Sequence, residues 1–483
     1  MSKRKISNKK KKLISRVINV ISIIVLTIFL LVLYKANILP IKYYKIIGIS
    51  LVSLELIYTL LCINKKIKAK RLVPFNLTAI LFIIIEIFAI LKINETLHFL
   101  DINLNNSTKT EVYYFVVNKD SKYKELKDIS KKDVYFYKDI KEVDTLKENI
   151  KKKVSVKIKN VDSMSELIEK LNEKEIILIN SGSYESLLEN YKEYNDTIRI
   201  LDEVTLKIEI EVVDSKKNIT KDPFIIYLSG IDTRSNYLPS RSLSDVNMLI
   251  VVNPKTRKIL LVNTPRDYYV QIHGTEGLRD KLTHAGSMGG VELSKATIED
   301  LYGITADYYA RVNFNAVVNL VDAIGGITVN SDVDYTITAY TDGGCVFYPG
   351  DNEVGGRCAL AFARERYAYE AGDRHRGENQ QQVLTRIFNK LTSSTTLITS
   401  YSGILNALSG SFESSLSTDD ITSLVQFQLG DMRGWDFEAS NVDGSGSSQP
   451  TYSYPNENLY VMYPNEESVN RTKTRIQEVL EGK

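Results

Sequence analysis

The chain has 483 residues with 62 Lys and Arg against 59 Asp and Glu, so its formal net charge is +3. This near-balance hides a polarity, because residues 1–71 hold 16 basic residues and one acidic residue, or +15, which leaves 3 − 15 = −12 for the remainder. A basic first segment joined to an acidic remainder argues against a nucleic-acid partner, whose positive patch lies on the folded domain. With 43% hydrophobic and 25% charged residues, the chain is neither disordered nor collagen-like. Its length predicts two or three domains.

Three apolar runs at the start of the chain predict a membrane anchor over residues 1–92. They are Val17–Tyr34, Tyr44–Ile63 and Leu72–Leu91. Each approaches the ~20 apolar residues that a helix needs to cross a bilayer core. Lys and Arg concentrate in the N-terminal tail and between the second and third runs, and short basic segments stay cytoplasmic. We therefore expect a cytoplasmic N-terminus, a multi-pass anchor, and an extracellular remainder. Glu55 and Glu86 lie within these runs, where we favour pairing between helices over a functional role.

Residues 93–215 predict a small extracellular α/β domain. The polar stretch Asn94–Thr110 predicts a linker, and from Glu111 short apolar strands alternate with helices rich in Lys and Glu. This segment has no Gly-rich phosphate loop, metal cluster or nucleophile motif, so we assign it no chemistry.

Residues 222–483 predict a second α/β domain with polar residues at the ends of its strands. The first three predicted strands are Phe224–Ser229, Met248–Val252 and Lys258–Asn263. Acidic and basic side chains gather near their ends, namely Asp232, Arg234, Arg241, Asp245, Arg266 and Asp267. In α/β sheets, strand ends are where ligands bind.

A second group of polar residues follows in Ala363–Arg366 and Gly372–Gln381. Arg364 and Arg366 alternate as on a strand, and Arg376 and Gln380 are spaced to share one face of a helix that starts near Arg376. Guanidinium groups suit bidentate capture of phosphate oxygens, and carboxylates suit Mg²⁺ shared with substrate phosphates. The two groups together predict a metal-bridged pyrophosphate site; the alternative is surface ion pairing among the same residues.

Other chemistry is excluded or left open by the motifs. There is no GxxxxGK[ST] phosphate loop, and the four His residues lack metal-binding spacing. Ala285–Gly289 is a degenerate Gly-x-Ser-x-Gly pattern, but the preceding residues do not read as the strand that a nucleophile elbow needs. Cys345 and Cys358 lie a short loop apart in the extracellular part, where they could form a disulfide or stay unpaired. Cys62 is expected to be a lone thiol.

From about Phe224 to the C-terminus, the chain resembles the LytR-CpsA-Psr family of cell-wall glycopolymer ligases. The motifs that carry the resemblance are Ser229–Thr233, Ser244–Leu249, Thr264–Asp267, Lys281–Gly286, Gly325-Gly326, Arg364–Arg366 and Gly372–Gln381. The arrangement of three spans and an accessory domain is similar to that of the capsular-polysaccharide members from streptococci and related Gram-positive bacteria.

The resemblance implies an αβα sandwich around a mixed sheet, with an apolar groove for a polyprenyl chain. It implies that a glycopolymer, capsular or teichoic-acid-like, moves from undecaprenyl pyrophosphate to the C6 hydroxyl of peptidoglycan N-acetylmuramic acid. The products are a phosphodiester and undecaprenyl phosphate. The partners implied are the lipid-linked polymer, peptidoglycan, membrane lipid and proteins of capsule or wall biosynthesis. Helices such as Phe314–Ile324 and Val383–Leu391 are candidates for the groove.

The resemblance also implies roles for individual residues. Asp232 and Asp245 would coordinate Mg²⁺, with Asp245 and Arg266 as the catalytic pair. The pyrophosphate would be held by Arg241, Arg266, Arg364, Arg366, Arg376 and Gln380. Acceptor-side or supporting roles would fall to Asp267, Lys281, His284 and Asp373. The base that activates the muramyl hydroxyl stays open between Asp245, Asp232 and the metal alone.

Two positions depart from the family pattern. Leu243 stands where many members have Arg, and we expect Arg241 to substitute for it by a shift of register. Asn379 stands where many members have a second Arg. Two rival functions also stay open: a polyprenyl-pyrophosphate phosphatase that uses water as acceptor, and a non-catalytic regulator of wall or capsule assembly.

Overall fold

The computed structural model describes residues 8–104, 108–137, 143–209, 217–233, 238–337, 344–370, 372–392 and 401–483. The chain forms two compact units. The first comprises Met1–Ile102 with Thr418–Arg433, and the second comprises Asn103–Ser417 with Gly434–Lys483. Arg234 lies outside the described residues, so its predicted place beside the strand ends is not addressed.

Three long apolar helices dominate the first unit: α1 (Asn8–Ala36), α2 (Ile41–Ile63) and α3 (Val73–Leu104). All three are long and apolar enough to cross a membrane. Helix α3 continues to Leu104, so the predicted linker is wrong over most of its length. No Gly or Pro interrupts this segment, and Lys92 pairs with Glu95 one turn along at 2.6 Å, which favours continued helix.

The carboxylate of Glu55 joins α1 to α2. Its two oxygens accept hydrogen bonds from Asn19 Nδ2 and Ser22 Oγ, each at 2.7 Å. Pairing between helices is therefore confirmed for Glu55. Glu86 is buried on α3, but its Oε2 has no hydrogen-bond partner among the described residues. Cys62 is a buried free thiol, as expected.

The second unit begins with a mixed five-stranded sheet and its helices. In chain order these are β1 (Thr108–Asn118), β2 (Asp133–Tyr137), α4 (Val143–Lys153), β3 (Lys157–Val161), α5 (Met164–Asn172), β4 (Ile176–Asn180), α6 (Ser181–Asn190), α7 (Tyr194–Thr197) and β5 (Ile198–Glu209). The strand order is β3-β2-β4-β1-β5, with β2 parallel to β3 and β4, and β1 antiparallel to β4 and β5. Apolar residues of α4 pack on one face, while those of α5 and α6 pack on the other.

A six-stranded mixed sheet forms the centre of the second domain of this unit, and the elements from residue 224 onwards are given in chain order. Its elements and their surroundings are β6 (Phe224–Ile231), β7 (Val246–Asn253), β8 (Lys258–Thr264), β9 (Tyr269–Gln271), β10 (Arg279–Lys281), α8 (Leu282–Tyr302), β11 (Tyr308–Asn313), α9 (Phe314–Ala323), β12 (Ile327–Ser331), β13 (Tyr335–Ile337), β14 (Cys345–Phe347), β15 (Gly350–Val354), α10 (Gly356–Arg364), α11 (Asp373–Leu391), α12 (Tyr401–Leu408), β16 (Phe412–Ser414), α13 (Thr418–Asp431, in the first unit), β17 (Asp436–Asn441), β18 (Gly444–Gln449), β19 (Leu459–Pro464) and α14 (Glu466–Glu481). The sheet order is β16-β11-β6-β7-β8-β17.

Helices cover both faces of this sheet. Buried residues of α8 and α14 pack with those of the central strands on one face. On the other face, α9, α10 and α11 share a core, and together with β6, β7 and β11 they line an apolar cavity. Strand β7 is antiparallel to both of its neighbours, β6 and β8. Strand β11 is parallel to β6 and antiparallel to β16, and β17 is parallel to β8. The predicted αβα sandwich with a mixed sheet is confirmed.

Candidate functional site

Three predicted site residues meet at one edge of the six-stranded sheet. Asp232 follows β6, Asp245 precedes β7 and Arg266 follows β8. Because β6 pairs with β7 and β7 with β8 in antiparallel register, the end of β6, the start of β7 and the end of β8 lie side by side. Gly230 permits this spacing, since a Cβ atom there would lie 2.8 Å from the Cβ of Val246.

The second group of predicted residues reaches the same place from α10 and α11. A cavity of about 280 Å³ is lined by side chains that include Asp232, Asp245, Arg266, Phe314, Arg364, Arg366, Arg376 and Gln380. Arg376 and Gln380 share one face of α11, as their spacing predicts. Four guanidinium groups and three carboxylates, Glu365 being the third, thus border one cavity, and the excess of cations suits a phosphate-rich ligand.

The strand predicted through Arg364 and Arg366 is wrong. Arg364 is the last residue of helix α10, and Glu365 then adopts an extended conformation that carries the chain on to Arg366. The segment before Arg364 is rich in alanine and buries one face against α9 and α11, so a helix satisfies it better than a strand does. Both guanidinium groups still line the cavity, because the helix ends between them.

Ion pairs hold the cavity's arginines in place. Arg364 Nη2 donates to Asp232 Oδ2 at 2.9 Å, and Arg364 also lies over the ring of Phe314. Arg266 Nη1 donates to Asp245 Oδ1. Burial alone would lower the pKa of Arg266, but the neighbouring carboxylates raise it above its usual range. Arg376 Nη2 pairs with Asp373 Oδ1 at 2.6 Å.

Asp267, Lys281 and His284 lie beside the cavity rather than in its lining. Lys281 Nζ pairs with Asp267 Oδ1 at 3.2 Å, and Asp267 Oδ2 lies 3.8 Å from Arg266 Nε. His284 is 1% exposed, with its Nδ1 2.6 Å from Asp280 Oδ1. Asp267 and Lys281 can therefore influence the cavity through Arg266. His284 is instead buried against Asp280, which lies just outside the sequence motifs.

The structure places Arg241, which was predicted to hold pyrophosphate, outside the lining of the cavity. Arg241 is 8% exposed, is not among the described residues that line the cavity, and pairs through Nε with Glu111 Oε1 at 2.8 Å. Glu111 belongs to β1 of the five-stranded sheet, so the position of Arg241 depends on that domain. Asn379, the other departure, is also directed away: its Nδ2 donates to the carbonyl of Phe362 at 3.1 Å.

Sequence reasoning missed two carboxylates that come from the five-stranded domain. Glu189 on α6 accepts a hydrogen bond from Arg266 Nη2 at 2.5 Å. Glu185, one turn earlier, lies near the backbone N–H of Leu243 at 3.4 Å, and burial raises the pKa of its carboxyl to about 8. The sequence signal is a pair of like charges at i and i+4 on a helix, in a segment that carries no recognisable chemical motif.

The polar cavity adjoins an apolar one. The apolar cavity has a volume of about 130 Å³ and is lined by side chains that include Leu228, Met248, Val317, Leu320, Leu360, Val383, Leu384 and Ile387. Phe314, Arg364 and Gln380 line both cavities. The two predicted groove helices therefore do border an apolar cavity, and it opens beside the charged one.

The carboxylates of Asp232 and Asp245 fit a divalent cation in part. Among the described residues, no three His, Cys, Asp or Glu side chains form a ready-made metal site. Mg²⁺, however, typically takes only one or two protein carboxylates and fills its shell with water and substrate phosphates. Two carboxylates facing one cavity suit that arrangement.

An αβα domain whose charged cavity adjoins an apolar cavity has the features of a protein that binds an amphiphilic phosphate. The LytR_cpsA_psr family model matches residues 184–478, which is more than half of the chain. The chain belongs to the LytR-CpsA-Psr family, as its motifs predicted.

Several known proteins are similar to this chain. Polyisoprenyl-teichoic acid–peptidoglycan teichoic acid transferase TagU of Bacillus cereus is 33% identical over 251 residues, which are 51% of this chain and 77% of TagU. TagU of Enterococcus faecalis is 32% identical over 234 residues, 48% of this chain and 75% of that one. Among solved structures, Bacillus subtilis TagV is 26% identical and covers 54% of this chain and 98% of its own, with a TM-score of 0.45. The structure of TagT bound to LIIa-WTA is 26% identical and covers 56% of this chain and 95% of its own, with a TM-score of 0.43.

Proposed function

We propose that the protein transfers a glycopolymer from an undecaprenyl-pyrophosphate carrier to peptidoglycan. The observation that carries this proposal is the junction of the two cavities, where Phe314, Arg364 and Gln380 line both. A prenyl diphosphate needs an apolar surface for its chain and cations for its phosphates, and here these lie side by side. The names of the transferases similar to this chain support the same reaction class.

The reaction that we propose is a phosphoryl transfer. The C6 hydroxyl oxygen of N-acetylmuramic acid attacks the phosphorus that bears the polymer, and the bond from that phosphorus to the bridging oxygen breaks. Undecaprenyl phosphate leaves with the bridging oxygen, and the hydroxyl proton passes to a base such as Asp232 or Asp245. Arg266, Arg364, Arg366 and Arg376 would hold the phosphates and stabilise charge on the departing oxygen, where phosphoryl transfer gains most.

We further propose that Mg²⁺ is the cofactor and that Asp232 and Asp245 hold it. When bound, the ion would neutralise phosphate charge and orient the donor. Both carboxylates accept hydrogen bonds from arginines of the cavity, Asp232 from Arg364 and Asp245 from Arg266, and both border the cavity where the phosphates would bind.

The three apolar helices support membrane anchoring, and we propose that the domains after α3 lie on the extracellular face. The lipid carrier and the anchored enzyme would then meet within one leaflet. Labelling of single-cysteine variants with a membrane-impermeant maleimide tests this orientation. A cysteine introduced at exposed Glu276 should react in intact cells, and one introduced at exposed Lys66 should react only after lysis.

The test of the reaction is turnover of purified donor lipid with and without a peptidoglycan acceptor. We expect polymer joined to peptidoglycan only when acceptor is present, and loss of transfer in Asp245→Ala and Arg266→Ala with the domains still folded. Release of undecaprenyl phosphate at equal rates without acceptor would instead identify a phosphatase. Full transfer by both variants would refute the proposed site.

A further inference from the structure

Helix α6 of the five-stranded domain lies against the catalytic domain along its whole length. At its start, Ser181 Oγ donates to the carbonyl of Arg241 at 3.2 Å. One turn on, the hydroxyls of Ser186 and Tyr454 are 2.8 Å apart, and at its end Asn190 Nδ2 lies 3.4 Å from His284 Nε2. These contacts fix the helix on that domain at three points.

The approach of α6 is as close as backbones allow. A Cβ atom at Gly182 would lie 2.9 Å from both the carbonyl carbon of Arg241 and the Cα of Ser287, so only glycine fits there. Any residue with a side chain at this position would push the helix away from that domain. Side chains further along its length are placed with the precision of a core element rather than a loop.

That placement brings Glu189 to Arg266, which lines the charged cavity. Glu189 Oε1 accepts from Arg266 Nη2 at 2.5 Å, while Asp245 accepts from Nη1 of the same guanidinium. The side chains are well shielded, with Arg266 17% and Glu189 28% exposed. Two carboxylates from two domains thus bind the two terminal nitrogens of one arginine, and that arginine lines the cavity.

The chemistry of guanidinium leaves this clamp compatible with ligand binding. Each terminal nitrogen carries two hydrogens, and one from each is engaged by a carboxylate. The second hydrogen of each remains for phosphate oxygens. A clamped arginine is also held in one orientation before the ligand binds.

We propose that Glu189 is a positioning residue of the active site: the five-stranded domain uses α6 to hold Arg266 in the orientation that phosphoryl transfer needs. The catalytic site is then a composite of both domains, which gives the accessory domain a part in the reaction. Because the carboxylate also repels phosphates, its main effect falls on turnover and not on donor affinity. This inference rests on the proposed function.

The experiment compares Glu189→Gln, which keeps the size and removes the charge, with the same change at exposed Glu175 in the same domain. Turnover is measured with donor lipid and peptidoglycan on the full chain, and affinity is measured separately with farnesyl diphosphate. For Glu189→Gln we expect kcat to fall by about tenfold, the size of one charge-assisted hydrogen bond, with the Kd unchanged or tighter. Glu189→Asp should recover part of the turnover, and Glu175→Gln should behave as wild type.

Coupling to Arg266 completes the test. When Arg266 is already replaced by lysine, Glu189→Gln should lower kcat much less, because the guanidinium group that Glu189 orients is no longer present. Unchanged or faster turnover in Glu189→Gln overturns the inference, as does an undiminished loss in the Arg266→Lys background. If Glu189→Gln weakens farnesyl diphosphate binding and lowers thermal stability in parallel, the inference is also overturned, because such a result indicates a purely structural contact. Wild-type protein that neither binds farnesyl diphosphate nor transfers polymer overturns the proposed function as well.

Discussion

Among individual residues, the arginines of the charged cavity differ in what holds them. Arg266 is clamped by carboxylates from two domains, whereas Arg376 pairs with Asp373 three residues earlier on its own helix. Arg366 is partly exposed and donates to the hydroxyl of Tyr367 at 2.7 Å. Arg266 therefore depends on long-range packing, as does Arg364 through its pair with Asp232, whereas Arg366 and Arg376 are held by partners close by in the sequence.

The helix α11 offers a matched pair of arginines for testing the cavity. Arg376 lines it, whereas Arg386 lies on the exposed side of the same helix. We expect Arg376→Ala to lower kcat/KM for the donor lipid by about 100-fold, since it removes a charged donor from the phosphates. Arg386→Ala should leave kcat/KM unchanged; an equal loss in both variants would point to the helix and not to the guanidinium.

Among the elements, α10 is joined to β14 by a disulfide between Cys345 and Cys358, whose Cα atoms are 5.6 Å apart. The spacing of these cysteines left a bridge and two free thiols open, and the structure forms the bridge. It lies six residues before Arg364 along α10, so it anchors the helix that ends at the cavity.

Reduction of this disulfide should destabilise the catalytic domain. Closing a loop of this size restricts the unfolded chain by about 3 kcal/mol in the chain-entropy model. We expect Cys345→Ser/Cys358→Ser to lower the thermal midpoint by several degrees and to abolish the effect of reductant on it. Cys62→Ser, which changes the free thiol, should leave both the midpoint and its response to reductant as in wild type.

The apolar cavity between α9, α10 and α11 provides a second element-scale prediction. Filling it with Leu384→Trp should weaken farnesyl diphosphate binding by at least about tenfold, because the chain then loses the apolar area it would bury. Leu278→Trp, at an exposed leucine elsewhere in the second unit, is the control. Equal affinities in the two variants, measured by calorimetry, would show that the prenyl chain lies elsewhere.

Across the second unit, the two sheets are joined by a buried charge cluster. Glu413 on β16 pairs with Arg311 on β11 and with Lys109 on β1, each at 3.0 Å. Burial alone would raise the pKa of Glu413, but the two cations lower it from 4.5 to about 2. The cluster therefore ties the five-stranded domain to the six-stranded sheet through an ionised carboxylate.

This cluster makes stability depend on pH. A carboxyl group whose pKa is lower in the folded state stabilises that state at any pH above its pKa in the unfolded chain. For Glu413 this stabilisation is lost as the pH falls from about 4.5 towards 2. We expect Glu413→Gln to lower the free energy of unfolding at pH 7 by about 3 kcal/mol, since it removes the carboxylate that compensates the buried charge of Arg311. The gap to wild type should narrow below pH 4.5 in denaturant titrations. Glu276→Gln, at an exposed site, should show no such gap at any pH.

Much of the site was predictable because its signals are local. Asp232, Asp245 and Arg266 follow or precede strands that are continuous apolar runs, and Arg376 and Gln380 have helical spacing. Two errors in the predicted secondary structure, one at the site and one in the first unit, also have local causes. An alanine-rich helix end replaced the strand predicted at Arg364, and a polar segment without Gly or Pro simply extended α3.

The sequence by itself determined the three apolar helices, the αβα architecture and the family of this protein, because run length, charge bias and motif order are properties of the chain read locally. Only the tertiary structure decided that Arg241 is buried against Glu111, that Asn379 turns away, and that Glu189 reaches Arg266 across 77 positions. Those outcomes depend on how two domains dock. Docking is set by close backbone contacts such as the one at Gly182, which no local pattern encodes.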